Sequence, residues 1–190
     1  MTSFLLCALL AMHSATSGQP APLSGEPDNT LTVEQIQSSV RSYLGTIDTP
    51  IEQTRWKRLG VRAEPVLLEI INGKTLPSRR AKAIDGLSII GGPSAKQLCE
   101  RISADENETL NVRLAAIRGL ARVTTDGALL AALRPLLEKS QNASVRSLAG
   151  EQLAKRIPSE ACPLVRAQVA REASEVQGEF GRAVDACFAR

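Results

Sequence analysis

Apolar side chains along this chain recur three and four residues apart, the spacing of one face of an α-helix. Ala83, Ile84 and Leu87 make one such face, and Ala116, Ile117 and Leu120 make another. Both lie in copies of one segment that begin at Arg80 and Arg113, 33 residues apart, and share Ala, Ile, Gly and Leu at matching places. A weaker third copy begins at Arg146, another 33 residues on. After each copy comes a breaker and then a second apolar segment, led by Ala95, Ala128 and Ala161, again at intervals of 33. The unit therefore reads as a helical hairpin: helix A, a short turn, helix B. A lone hairpin cannot bury its apolar face, so neighbours have to stack into a nearly one-dimensional array. The competing reading is a bundle of unrelated amphipathic helices, which gives no reason for two markers to share one period.

The same patterning marks the ends of the array. Thr32 with Gln35 three residues on forms a capping box, followed by the apolar stripe Ile36, Val40 and Leu44, with Gly45 as the stop. This helix reads as an N-terminal cap. Thr49, Pro50 and Glu52 signal another helix start, and Gly60 its end. Residues 50–73 are then the first repeat. Gly73, Gly91-Gly92, Thr124-Thr125 and Asn142 fall where turns belong, and Pro158-Ser159 separates the helices of the last clear repeat. Residues 178–189 read as a final helix.

The segments Asn111-Val112-Arg113 and Ser144-Val145-Arg146, followed by the Ala-Ala-x-x-Gly-Leu pattern seen at Ala115 to Leu120, resemble HEAT-like repeats. The nearest form is the short bacterial type also found in phycobilin lyase subunits. The resemblance covers about residues 50–175, and Ser78-Arg79-Arg80 fits it less well. It implies that Arg80, Arg113 and Arg146 bond to neighbouring loops and carboxylates and hold adjacent hairpins in register. The rival reading of this row is a line of guanidinium groups for phosphates or carboxylates of a ligand. Trp56 to Gly60 also matches the start of a tetratricopeptide repeat, but Ala63 then replaces the expected Tyr. Pattern and resemblance together set the expectation: an all-α fold, a right-handed α-solenoid of about four stacked helical hairpins with an N-terminal capping helix, over residues 31–190.

Residues 4–12 form an apolar run that is too short to span a membrane, with Ala15-Thr16-Ser17 as a cleavage site. Residues 1–17 read as a signal peptide, although no Lys or Arg precedes the run. Residues 18–30, rich in Pro, Gly, Ser and Asp, read as a disordered linker. The expected location is exported, in a periplasm or secreted, with no transmembrane span.

Composition narrows the function. The single histidine is His13, inside the signal segment, so Ser-His, Cys-His and His-metal chemistry leave the mature chain together. The iron-dependent HEAT-like hydroxylases, whose ligands are His-Glu pairs, are argued against for the same reason. No cofactor is expected. The net charge of +3 is too small to imply a nucleic-acid partner. A HEAT-like DNA glycosylase is disfavoured by that charge, by export and by the scarcity of stacking aromatics. The charge is uneven, however. Residues 55–82 hold eight Lys and Arg against Glu64 and Glu69, a net +6. Arg55, Lys57, Arg58, Arg62, Arg79 and Lys82 form the candidate patch for an anionic protein, a lipid surface or a cell-wall polymer; the opposing view is a solvated face plus structural arginines. Trp56 within it is either core or a stacking platform. The leading function is an exported, non-enzymatic scaffold or adaptor with an unidentified protein partner. The alternative, by resemblance alone, is a chromophore- or tetrapyrrole-handling lyase-type or chaperone-like subunit, which would need an aromatic-lined groove.

Of the three cysteines beyond the signal segment, Cys99 falls on an inner helix face and is expected as a buried thiol. Cys162 and Cys187 leave two arrangements open. A turn at Ser174-Glu175 brings them together as a disulfide. A turn at Gly178 sets them about 10 Å apart along the helices, beyond bonding reach.

Overall fold

The computed structural model describes residues 26–46 and 50–189. The expected signal segment, most of the linker and the capping residue Thr49 lie outside the described residues. The described chain is all-helical, with no strand among those residues. None of its helices is long and apolar enough to cross a membrane.

The first helix, α1 (Val33–Gly45), starts where the box predicts. The Thr32 hydroxyl accepts from the Gln35 amide, and the Gln35 side chain accepts from the Thr32 amide. Ile36, Val40 and Leu44 are its buried face. The next helix, α2 (Gln53–Leu59), begins later than expected, and Glu52 makes no capping bond. Gly60 ends it at φ 62°, in the region that favours glycine. A turn of 3₁₀-helix leads into α3 (Glu64–Asn72), which has Pro65 in its first turn.

Three larger pairs follow, α4 (Pro77–Ile90) with α5 (Ala95–Ala104), α6 (Leu110–Val123) with α7 (Asp126–Lys139), and α8 (Ala143–Arg156) with α9 (Pro158–Val169). Gly91 closes α4 in the left-handed region, and Asn142 caps α8 through its side-chain oxygen. The last helix is split: α10 (Ser174–Gln177), a 3₁₀ turn over Gly178–Phe180, and α11 (Gly181–Phe188).

Helix contacts place the unit boundary differently from the sequence reading. α5 packs extensively on the following α6 and little on α4, and α7 packs on α8 rather than on α6. As far as α8 the tight hairpins are thus B with the next A, as α3 with α4 also shows, whereas α9 packs mainly on the α8 before it. A periodic sequence has no intrinsic first helix, so its phase is decided by packing. The A helices also pack in series: α2 on α4, α4 on α6, α6 on α8, and α8 on α11.

The repeated glycine explains that close series. A Cβ at Gly86 would lie 3.0 Å from the Trp56 ring of α2. At Gly119 it would lie 2.7 Å from the Cys99 sulfur and 3.3 Å from Ser88. The core is one run of Leu, Ile, Val and Ala through every helix pair, with Ala83, Ile84, Leu87, Ala116, Ile117 and Leu120 fully buried. At about 25 cal/mol per Å² of apolar area, this burial is the main favourable term for the fold.

Candidate functional site

Arg80, Arg113 and Arg146 each open an A helix and reach back to the end of the B helix before it. The Arg80 Nε donates to the Ile71 carbonyl at 2.9 Å, Arg113 Nε to Ser103 at 3.2 Å, and Arg146 Nη1 to Ser140 at 2.8 Å. These carbonyls belong to helix C-termini, which lack intrahelical donors and carry partial negative charge. Each guanidinium also grips a carboxylate with two bonds. Arg80 holds Glu108 at 2.7 and 3.0 Å, Arg113 holds Glu106 at 2.7 and 2.9 Å, and Arg146 holds Glu172 at 2.5 and 2.6 Å. Ser140 donates to Glu106 and accepts from Arg113, so the middle rung ties two successive loops.

The electrostatics follow the bonding. The Arg113 bond holds the Glu106 carboxyl below its ordinary range, and Arg146 does the same for Glu172. Burial pushes Glu108 up, but the bonds from Arg80 and Thr109 outweigh it and leave it lowered. Glu172 in turn raises Arg146. With every member satisfied, the row functions as an internal brace.

The six residues of the candidate basic patch do not form one cluster. Arg55, Lys57 and Arg58 lie on α2, Arg62 on the 3₁₀ turn after it, and Arg79 and Lys82 near the start of α4. Trp56 faces Gly86, and Leu59 and Gly60 share a groove with Ile89 and Ile90, so α2 lies beside the C-terminal half of α4. Arg79 is then about 16 Å from that groove, at 1.5 Å per residue along α4. Three of the six also tie down the chain's N-terminal part. Arg58 pairs with Asp28 at 3.0 Å, Arg62 donates to the Leu31 carbonyl at 2.8 Å, and Lys82 bonds to the Thr46 carbonyl. Residues 26–30, the end of the stretch read as a linker, are thus held against α2. Arg55, Lys57 and Arg79 are exposed and make no side-chain bond among the described residues.

Two of the surface grooves set basic side chains beside apolar ones at opposite parts of the array. The first, about 310 Å³, sits at the α2–α4 end, where Lys57 and Arg62 flank apolar Pro27, Val61, Ile89 and Ile90. The second, about 550 Å³, crosses α6, α8 and the 178–182 stretch, and includes Arg118, Lys155 and Arg182. Periodicity alone pointed to neither, because a groove depends on which side chains are short at a given contact.

Trp56 and Phe180 are core residues, and Tyr43 packs edge-on against Trp56 at a centroid distance of 5.3 Å. The aromatic-lined groove that a chromophore subunit would need is therefore not built from these three. Cys99 is a buried thiol, pushed up to about 12 by burial and the nearby Asp85 charge. The structure places Cys162 and Cys187 in a disulfide with a Cα–Cα distance of 5.7 Å. The connection is neither of the two simple turns considered. It is the whole stretch between α9 and α11, residues 170–180, whose centre at Glu175 leaves the two cysteines nearly equidistant. Among the described residues no group of three or more His, Cys, Asp or Glu side chains is placed to hold a metal ion.

Comparison with protein-family models, with curated proteins and with solved structures yields no match.

Proposed function

We propose that this protein is an exported, non-enzymatic helical-repeat scaffold: a right-handed α-solenoid of about four HEAT-like hairpins, capped by α1, that holds a partner protein at its basic end. The observation that carries the reading is the serial packing of α2, α4, α6, α8 and α11, braced by three period-spaced arginines. Such an array exposes a long side to partners while each unit is supported only by its neighbours. The groove at the α2–α4 end supplies the docking chemistry. Lys57 offers charge to an anionic partner, and Val61, Ile89 and Ile90 offer apolar contact.

Photo-cross-linking in the producing cells tests this reading. A photoreactive residue at Val61 yields a discrete protein adduct that is lost with Lys57→Glu and absent when the label sits at Arg101 on α5. No adduct from position 61, or the same adduct from position 101, overturns it. Amino-terminal sequencing tests export: the mature chain starts near Gly18, and a chain still starting at Met1 removes that part of the proposal.

A further inference from the structure

The 33-residue period samples each helical position several times within one chain. Where the fold demands a residue, the copies agree, as at Arg80, Arg113 and Arg146. On the outer turn of the A helices they disagree. The equivalent positions Asp85, Arg118 and Glu151 alternate in sign, and one turn on stand Ile89, Arg122 and Lys155. Some of these side chains still bridge helices, as Arg122 does to Asp85 at 2.9 Å, but the array does not fix one residue type at either position.

Their local arrangement is distinctive between α6 and α11. Leu114 and Leu148 contribute apolar lining to the 550 Å³ groove. The side chains of Arg118, Lys155 and Arg182 are 39%, 56% and 85% exposed. Arg118 meets Asp85 only at 3.8 Å, and Arg182 meets Glu151 only at 3.8 Å. Of the two carboxylates here, Glu151 is buried and bonded to Lys155 at 2.5 Å, while Glu179 is exposed and accepts the Ser144 hydroxyl at 2.9 Å. A partner approaching this groove therefore meets three cations against one exposed carboxylate, around aliphatic side chains, and no aromatic face on which a base could stack.

We propose that the groove across α6, α8 and the start of α11 docks an acidic segment of a partner protein that also carries aliphatic side chains. Carboxylates of the segment face Arg118, Lys155 and Arg182, and an aliphatic side chain covers Leu114 and Leu148. Charge complementarity of this kind sets approach and register. The proposal rests on the scaffold reading and adds a second site, distinct from the α2–α4 end.

The test uses the mature chain and a fluorescein-labelled peptide of alternating glutamate and photo-leucine, with a lysine and photo-leucine peptide and an oligothymidylate as the other arms. Binding is read by anisotropy, and the site by mass spectrometry of the cross-linked adduct. The expected result is binding of the glutamate peptide alone, with adducts within residues 110–156. Affinity falls at least tenfold in the combined Arg118→Gln, Lys155→Gln, Arg182→Gln variant, whose helical circular dichroism stays that of wild type. If the triple variant fails to fold, Arg182→Gln alone, at the most exposed site, lowers affinity at least twofold. No binding, adducts confined to residues 55–90, tighter binding of the oligothymidylate, or unchanged affinity in the variants overturns the groove assignment. Adducts confined to residues 55–90 would leave the basic-end site standing and remove only this one.

Discussion

Two sets of basic side chains run along the A helices, and they are built for different work. The inner set, Arg80, Arg113 and Arg146, is one residue type at one period, each bonded to a helix end and gripping a carboxylate with two bonds. The outer set, which includes Lys57, Arg118, Lys155 and Arg182, follows no common pattern and faces water. Arg113 is 3% exposed. Burying a charge is unfavourable unless it is fully paired, so the inner set is sustained by its bonds. An exposed ion pair contributes little, so the outer set is nearly irrelevant to folding. Repetition within a chain thus separates what stacking requires from what it permits.

The largest expected effect comes from breaking the core that both sets rest on. Ile117→Asp, fully buried in α6, places an unpaired carboxylate among apolar side chains and costs several kcal/mol. Urea denaturation then shows an unfolded or barely folded chain. A midpoint equal to wild type contradicts the repeat register itself.

The next effect sits at α11, which Cys162–Cys187 ties to α9. Cys187→Ser lowers stability by about 3 kcal/mol on the chain-entropy model. Thiol titration of the denatured, unreduced mature chain finds one free thiol, Cys99. Three free thiols contradict the bond.

Acid separates the two sets more finely. Glu106, Glu108 and Glu172 have lowered pKa values in the folded chain. A depressed carboxylate contributes stability above its unfolded value, near 4.3, and loses it as pH falls through the lower folded value. Stability therefore declines below about pH 4.5. In the Glu106→Gln, Glu108→Gln, Glu172→Gln variant stability is lower at pH 7 and the acid decline shallower. An unchanged acid slope in that variant removes the inner set as its cause.

The smallest effect is expected from Arg55→Glu with Lys57→Glu. Both residues are exposed, and the change in unfolding free energy stays within about 0.5 kcal/mol. Arg58 and Arg62 are poorer probes, since they also hold Asp28 and Leu31.

Much of this was legible in the chain. Apolar spacing located the A helices, Thr32 and Gln35 located the start of α1, and the period located the arginines. The partners of those arginines were not legible: Glu106, Glu108 and Glu172 lie in loops, where no periodicity constrains position. The spread of the basic residues over α2, the 3₁₀ turn and the start of α4 was not legible either, because nearness in sequence places Arg79 with Lys57, whereas α4 carries it to the far end. The role of Arg58 depended on Asp28, 30 residues upstream in a stretch that composition marks as linker. Hairpin phase and the α9–α11 connection also depended on packing, since α10 and its 3₁₀ turn replace a single sharp turn.

Arg80, Arg113 and Arg146 are structural, and Lys57, Arg118, Lys155 and Arg182 are not. Equilibrium urea unfolding of Arg113→Ala beside Arg118→Ala tests this division most directly, the two residues being five apart on one helix. Removing Arg113 strands the Ser103 carbonyl and leaves the Glu106 carboxylate without its counter-charge, held by the Ser140 hydroxyl. Because Glu106 is partly exposed, the expected loss is about 2–3 kcal/mol, at or below the low end for breaking a buried pair. Arg118→Ala is expected to cost less than about 1 kcal/mol. Equal losses for the two variants, or a larger loss for Arg118→Ala, would contradict the division on which the account rests.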